Sequence, residues 1–181
     1  YAFDMRRLGL HLVGGADPSA QLLEGVGSGK VPPHHQGKLI AAFNGGPALT
    51  EEQGVMQDGH ALIPPSLGLS TVLTDERGRA LFGRLDLEPS ALPSSWRSLR
   101  QSFAPLIDQR VNQRDLPPQS PFGRLDAGRL PRSALGVTHS GTLIYAWSEA
   151  ATAEHIATAL RRVGVTFALS LKSGAAQTGL A

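Results

Sequence analysis

Residues 132–147 read RSALGVTHSGTLIYAW, and this stretch decides the fold class. Arg132–Thr138 and Thr142–Trp147 are both rich in apolar, β-branched and aromatic residues, which favour strands. The three residues between them, His139-Ser140-Gly141, are typical of a tight turn. The stretch therefore predicts a β-hairpin.

A helix and a further strand are predicted after the hairpin. Ser148 is the predicted N-cap, and the apolar positions then recur at helical spacing as far as about Val163. Gly164 ends the helix, and Val165–Leu171 reads as a strand. Hairpin, helix and strand together predict an α+β domain with a mixed β-sheet.

Upstream of the hairpin, short apolar runs bounded by Gly, Pro or charged residues predict further strands. Leu39–Phe43 is interpreted as a short buried strand, judged from its length and its Gly/Pro boundary. The other predicted strands are residues 1–13, Ala61–Ile63, Ser70–Thr74 and Arg79–Leu85, with a hairpin turn at Asp75–Gly78.

The 181 residues are predicted to form one domain, spanning residues 1–181. Residues 87–131 contain seven of the thirteen prolines and are interpreted as a long irregular excursion within that domain, not as a linker. Long irregular segments often carry functional residues.

Composition excludes several classes of protein. With 41% hydrophobic residues the chain is globular, and without cysteine it has no disulfide or thiolate zinc site. The net charge is only +2 and no basic run is interleaved with aromatics, so no nucleic-acid partner is expected. No apolar stretch reaches membrane-spanning length. The chain opens YAFDM without an initiator Met, and we expect a mature or trimmed product whose signal peptide would lie upstream.

The predicted strand Leu39–Phe43 runs into Asn44-Gly45-Gly46-Pro47. Turn chemistry explains most such glycines, so a tight turn is the first interpretation of these residues alone. The alternative is a binding loop, in which the glycines let the backbone approach a ligand while Asn44 offers a donor and an acceptor.

The order of several motifs resembles the phosphodiester glycosidase family, in particular a bacterial branch. The matching segments cover most of the chain from about Val31 onward: LIAAFNGG at 39–46, GVMQDG at 54–59, SLRQ at 98–101, PLID at 105–108, RSALGV at 132–137 and FALSL at 167–171. This family includes the enzymes that uncover mannose 6-phosphate by removing N-acetylglucosamine from its phosphodiester.

The resemblance implies a set of site residues. Asn44, Gly45 and Gly46 would form a sugar-facing loop, and Arg132 would hold the phosphate through its planar guanidinium. Arg100 is a further candidate for substrate binding. Asp108 and Asp58 are the candidate catalytic carboxylates, although Asp58 alone reads as a turn residue. The family also implies a divalent cation such as calcium, with no ligands assigned, and a secreted or cell-envelope location in a bacterium.

Two positions depart from the family pattern. Pro47 stands where the family has an aromatic residue, and Lys172 stands where its closing strand ends in Asp. An ammonium group cannot replace a carboxylate as base, nucleophile or metal ligand, so Lys172 threatens catalysis more than fold. The leading hypothesis is a glycosidase-like domain acting on a sugar-1-phosphodiester. The alternatives are an inactive module that binds an anionic glycan through Arg100, Arg132 and Lys172, and a structural domain without a ligand.

The histidines and tryptophans are interpreted mainly as surface and packing residues. His34 and His35 are adjacent, lack metal-ligand spacing and are expected at the surface. Trp96 and Trp147 are expected to be packing residues, although Trp96 is a candidate for stacking on a sugar ring. Neither the sugar nor the oligomeric state follows from the sequence.

Overall fold

The computed structural model describes residues 1–14, 30–46, 53–109 and 128–173. Ten strands, two α-helices and one 3-10 helix (Pro89–Ala91) are assigned in these ranges. The strands are β1 (Ala2–Asp4), β2 (Val55–Gln57), β3 (His60–Ile63), β4 (Ser70–Asp75), β5 (Ala80–Arg84), β6 (Trp96–Gln101), β7 (Ile107–Asp108), β8 (Leu130–Thr138), β9 (Thr142–Ala151) and β10 (Val165–Ser173). The helices are the single turn α1 (Pro33–Gln36) and α2 (Ala153–Arg162).

The strands form two five-stranded sheets. The first sheet has the order β1-β9-β8-β10-β7, and the second has the order β3-β2-β6-β4-β5. All pairings between these strands are antiparallel. The α+β class and the C-terminal unit of hairpin, helix and strand are confirmed. Where the sequence predicted a mixed sheet, the structure has two antiparallel sheets.

Apolar side chains cover both faces of the first sheet, so its central strands are buried. Alternate residues of a strand point to opposite faces. Leu135 and Tyr145 belong to the apolar cluster that meets Val72 and Phe82 of the second sheet. Ala134 belongs instead to the cluster formed with α2. The described chain is therefore layered as sheet, sheet and helix.

Helix α2 packs one apolar face, with Ile156, Ala157 and Leu160, against the first sheet. Its N-cap is Thr152, whose Oγ1 accepts a hydrogen bond from the backbone N–H of His155 at 3.1 Å. The predicted N-cap, Ser148, lies within β9, because that strand stays paired with β8 as far as Ala151. In the described residues no helix is long and apolar enough to cross a membrane.

Residues 39–43 are not the buried strand that the sequence predicted. Leu39 and Ile40 are 49% and 70% exposed, and only Phe43 makes a β-bridge. The interior strands β8 and β10 have neighbours on both sides, so they leave no edge for this segment to pair with. Near the N-terminus, the predicted strand over residues 1–13 is shortened to β1.

The proline-rich segment 87–131 contains regular structure. Trp96–Gln101 forms β6, the central strand of the second sheet, and residues 107–108 form β7. The Gln101 side chain is fully buried and makes four hydrogen bonds, to the backbones of Gly54 and Ser66 and to Thr71. This part of the predicted excursion is therefore framework, while residues 110–127 lie outside the described ranges.

Candidate functional site

The Asn44 side chain is held against the first sheet. Its Oδ1 accepts a hydrogen bond from Ser133 Oγ on β8 at 3.2 Å. Its Nδ2 is buried and has no hydrogen-bond partner among the described residues. A buried donor without an acceptor costs roughly 1–3 kcal/mol. Such a donor is expected where a ligand supplies the acceptor.

Tyr145 extends this polar cluster. The residue is 1% exposed, and its ring lies 5.2 Å from the ring of Phe43. The Tyr145 hydroxyl is buried and makes no hydrogen bond of normal geometry within the described residues. It lies near the Ser133 hydroxyl, which favours the ionised phenolate and so lowers the pKa of Tyr145. Burial dominates and raises the pKa of Tyr145 above its ordinary value. The neutral phenol is thus a second polar group available beside Asn44.

The second glycine of the loop lies against Arg100 on β6. Gly46 has φ +132°, a backbone conformation that favours glycine. A Cβ at this position would lie 3.4 Å from both Nε and Nη2 of Arg100. Partial burial lowers the pKa of Arg100 to about 10, so the guanidinium remains cationic at neutral pH. The loop thus joins a neutral amide at Asn44 to a cation beneath Gly46.

A cavity of about 560 Å³ lies between the two sheets, with Arg100, Phe43 and Gly45 in its wall. This volume is typical of small-molecule sites. Most of the remaining wall is apolar, with a few hydroxyls and the basic residues Arg7, His11, His35 and Lys38. It includes Leu135, Leu143, Leu169 and Leu171 of the first sheet, Val72, Thr74 and Ser98 of the second sheet, and residues 7–13 and 38–42.

Arg132 is not brought together with Asn44. Ser133 shares a face of β8 with Leu135, whereas Arg132 shares the opposite face with Ala134, toward α2. Arg132 is 2% exposed, and its Nε donates to the backbone carbonyl of Ala151 at 2.7 Å. Arg132 therefore does not share a site with Asn44, because the alternation of side chains along β8 directs Arg132 to the helix side.

The backbone of Lys172 lies close to the Asn44 cluster. Lys172 is paired with Ser133 in the register of β10 and β8, after an irregularity between Ser170 and Lys172. This pairing brings the end of β10 to the same level of the sheet as Asn44. Pro47, the other departure from the family pattern, lies outside the described ranges.

The two predicted catalytic carboxylates lie away from Asn44. Asp108 is buried on the edge strand β7 and pairs with Phe167, which pairs with Val137. Val137 is four residues along β8 from Ser133, or roughly 13 Å. Asp58 is exposed in the turn between β2 and β3, where its φ of 52° and the φ of 85° at Gly59 form a two-residue hairpin turn.

The residues around Asn44 do not fit the calcium ion that the resemblance implies. Calcium takes six to eight oxygen ligands, several of them carboxylates. Asn44 Oδ1 already accepts from Ser133, its Nδ2 is a donor, and Arg100 is a cation. In the described part of the chain, no group of three or more His, Asp or Glu side chains is arranged to hold a metal.

Sequence reasoning missed Ser133 and Tyr145 as site residues. Both lie in the stretch that predicts the hairpin, where strand propensity by itself accounts for them. The sequence signal for these residues is the alternation of small or polar residues with apolar ones along a buried strand.

Solved structures share this fold at low sequence identity. The catalytic domain of zebrafish N-acetylglucosamine-1-phosphodiester alpha-N-acetylglucosaminidase, in a structure auto-inhibited by its pro-peptide, superposes with a TM-score of 0.60 at 17% identity. The match covers 77% of this chain and 52% of that one, so the chain spans about half the length of this neighbour. A hypothetical protein from Synechocystis gives a TM-score of 0.48 at 14% identity, covering 78% of this chain and 47% of that one. No family model and no curated protein matches the chain.

Proposed function

We propose that this domain binds a sugar-1-phosphodiester, or a related anionic glycan, at the Asn44–Gly46 loop and the adjoining cavity. The observation that carries the proposal is the position of Arg100, a partly buried cation in the cavity wall directly beneath Gly46. The distant fold likeness to a glycosidase domain that acts on a sugar phosphodiester supports the same ligand class.

Arg100 suits the phosphate and Asn44 suits the sugar. A guanidinium presents several N–H donors in a plane and pairs with phosphate oxygens in two-point contacts. Its attraction for an anion is stronger in a partly desolvated cavity than in water. The free Asn44 Nδ2 donor would serve a sugar hydroxyl or an N-acetyl oxygen.

Binding without turnover is the function that the described geometry favours. Glycoside hydrolysis normally uses two carboxyl groups that flank the scissile bond. Asp58 and Asp108 do not approach Asn44, and among the described residues no carboxylate lines the cavity. Hydrolysis is the second candidate, and the fold likeness is the observation in its favour.

Calorimetry with methyl phosphodiesters of α-linked glucose, mannose and N-acetylglucosamine tests the binding proposal. Arg100→Gln should weaken binding roughly tenfold or more, since hydrogen bonds to charged groups contribute about 1.5–3 kcal/mol. The matched control is Arg97→Gln, on the same strand, where the arginine lies 3.4 Å from Glu76 at the surface. Equal affinities of the two variants would contradict the phosphate role of Arg100.

The same phosphodiesters distinguish a binding module from an enzyme. Release of free sugar by the native protein would establish hydrolysis, whereas binding without release is the expected result. Absence of binding to every ligand of the panel would favour a structural domain. A secreted or cell-envelope location stays a prediction of the sequence resemblance.

A further inference from the structure

Trp147 is a half-exposed aromatic residue that lies beside a buried polar cluster. It is 47% exposed, whereas Tyr145, two residues earlier on the same strand, is 1% exposed. Large aromatic side chains normally contribute most of their surface to packing. About half of the Trp147 side chain is therefore left accessible for contact with a ligand.

The strand register places Trp147 on the same face as the Asn44 cluster. Trp147 is the Cα partner of Ser133, and Tyr145 is the Cα partner of Leu135. Directly opposed residues of an antiparallel pair share a face, with Cβ atoms roughly 4.5–5.5 Å apart. Trp147 thus adjoins the serine that holds Asn44.

Two buried polar groups belong to this cluster. Within the described residues, Asn44 Nδ2 and the Tyr145 hydroxyl are both buried without a hydrogen bond of normal geometry, although the hydroxyl lies near Ser133. An exposed aromatic face beside unsatisfied polar groups matches the two-sided chemistry of a sugar, whose ring has apolar C–H faces and a hydroxyl-bearing rim. The arrangement suits stacking of the ring on the indole, with polar contacts at its rim.

We propose that Trp147 is the platform on which the sugar ring of the ligand stacks, with Asn44 contacting the edge of that ring. The inference rests on the proposed function and adds the ligand chemistry: a pyranose that presents a face of C–H bonds, with its phosphate directed toward Arg100. Trp147 then contributes to recognition of the sugar and not of the phosphate.

Two probes separate these contributions, namely glucose 1-phosphate and inorganic phosphate. Trp147→Ala should lower the affinity for glucose 1-phosphate roughly tenfold and leave the affinity for inorganic phosphate unchanged. Trp147→Phe should retain part of the affinity for glucose 1-phosphate. The matched control is Leu81→Ala, which truncates another half-exposed apolar side chain, on β5 of the second sheet. Arg100→Gln should lower the affinity for both probes.

Tryptophan fluorescence gives an independent measurement, because the chain has only Trp96 and Trp147. In Trp96→Phe, glucose 1-phosphate should shift or quench the emission of Trp147, and inorganic phosphate should not. Native affinity of Trp147→Ala for glucose 1-phosphate, with unchanged emission, would overturn the platform and leave the proposed function standing. No binding of either probe by the native protein would overturn both.

Discussion

Ser133 Oγ on β8 donates a hydrogen bond to Asn44 Oδ1 at 3.2 Å, although the two residues are 89 positions apart in the chain. The bond uses the oxygen of the Asn44 amide and thereby leaves its Nδ2 as the buried, unpaired donor. Ser133 is itself almost completely buried. This contact therefore sets which end of the amide is presented to a ligand.

Ser133→Ala should lower affinity for a sugar 1-phosphate about fivefold, because the loss of a neutral hydrogen bond of about 1 kcal/mol frees the Asn44 amide to rotate. Calorimetry with glucose 1-phosphate measures the change. Ser140→Ala, in the exposed β8–β9 turn, is the control and should bind as the native protein does. Unchanged affinity in Ser133→Ala would show that Asn44 needs no orientation by β8.

Arg132→Lys should destabilise the protein by about 1–3 kcal/mol without changing its affinity for phosphate. The guanidinium is buried on the helix side of the first sheet, and its Nε donates a hydrogen bond to the Ala151 carbonyl. The ammonium group of Lys is not positioned to make this hydrogen bond. Urea unfolding and phosphate calorimetry measure the two effects. Loss of phosphate binding with native stability would restore Arg132 as a phosphate ligand.

Gln101→Leu should lower the free energy of unfolding by about 2–4 kcal/mol. The substitution leaves the backbone N–H groups of Gly54 and Ser66 without the oxygen that now accepts both of them, at 3.0 and 2.8 Å. The control is Gln36→Ala, which removes one exposed hydrogen bond to Val31 and should cost much less. Similar losses in the two variants would argue against a framework role for Gln101.

Stability should fall as the pH drops below about 6.5, and His35 should contribute to this slope. Burial lowers the pKa of His35 from its ordinary 6.5, and the neighbouring charges of His34, His11 and Lys38 lower it further. The unfolded state therefore binds the proton first, so this contribution is complete above pH 6.5 and is lost as pH falls through the folded pKa.

Thermal unfolding between pH 5 and 8 measures this dependence. His35→Asn should flatten the slope, whereas His139→Asn, in an exposed turn, should leave it unchanged. The rings of His11 and His35 lie 4.6 Å apart and those of His34 and His35 lie 4.2 Å apart, so mutual repulsion on protonation adds to the larger effect of burial on the pKa of His35. An equally steep slope in His35→Asn would assign the dependence to other groups.

The local elements of this fold follow from the sequence by itself. The hairpin at 132–147, the hairpin around Asp75–Gly78 and the strand after Gly164 depend on turn residues and on the periodicity of nearby apolar side chains. The family resemblance suggested Asn44, Gly45, Gly46 and Arg100 as site residues; the structure places Gly46 against Arg100, and their role in binding stays a prediction. Turns and strand tendencies are specified over a few residues, so no distant contact is needed to predict them.

The face of the sheet that each strand residue occupies depends on tertiary packing. Arg132 and Ser133 are adjacent in sequence, yet one lies toward α2 and the other toward Asn44. The apolar segment 39–43 remained outside the sheets, and Trp147 became an exposed neighbour of the candidate site. These outcomes depend on which layer covers each face of the first sheet, and that layer is contributed by residues far away in the chain.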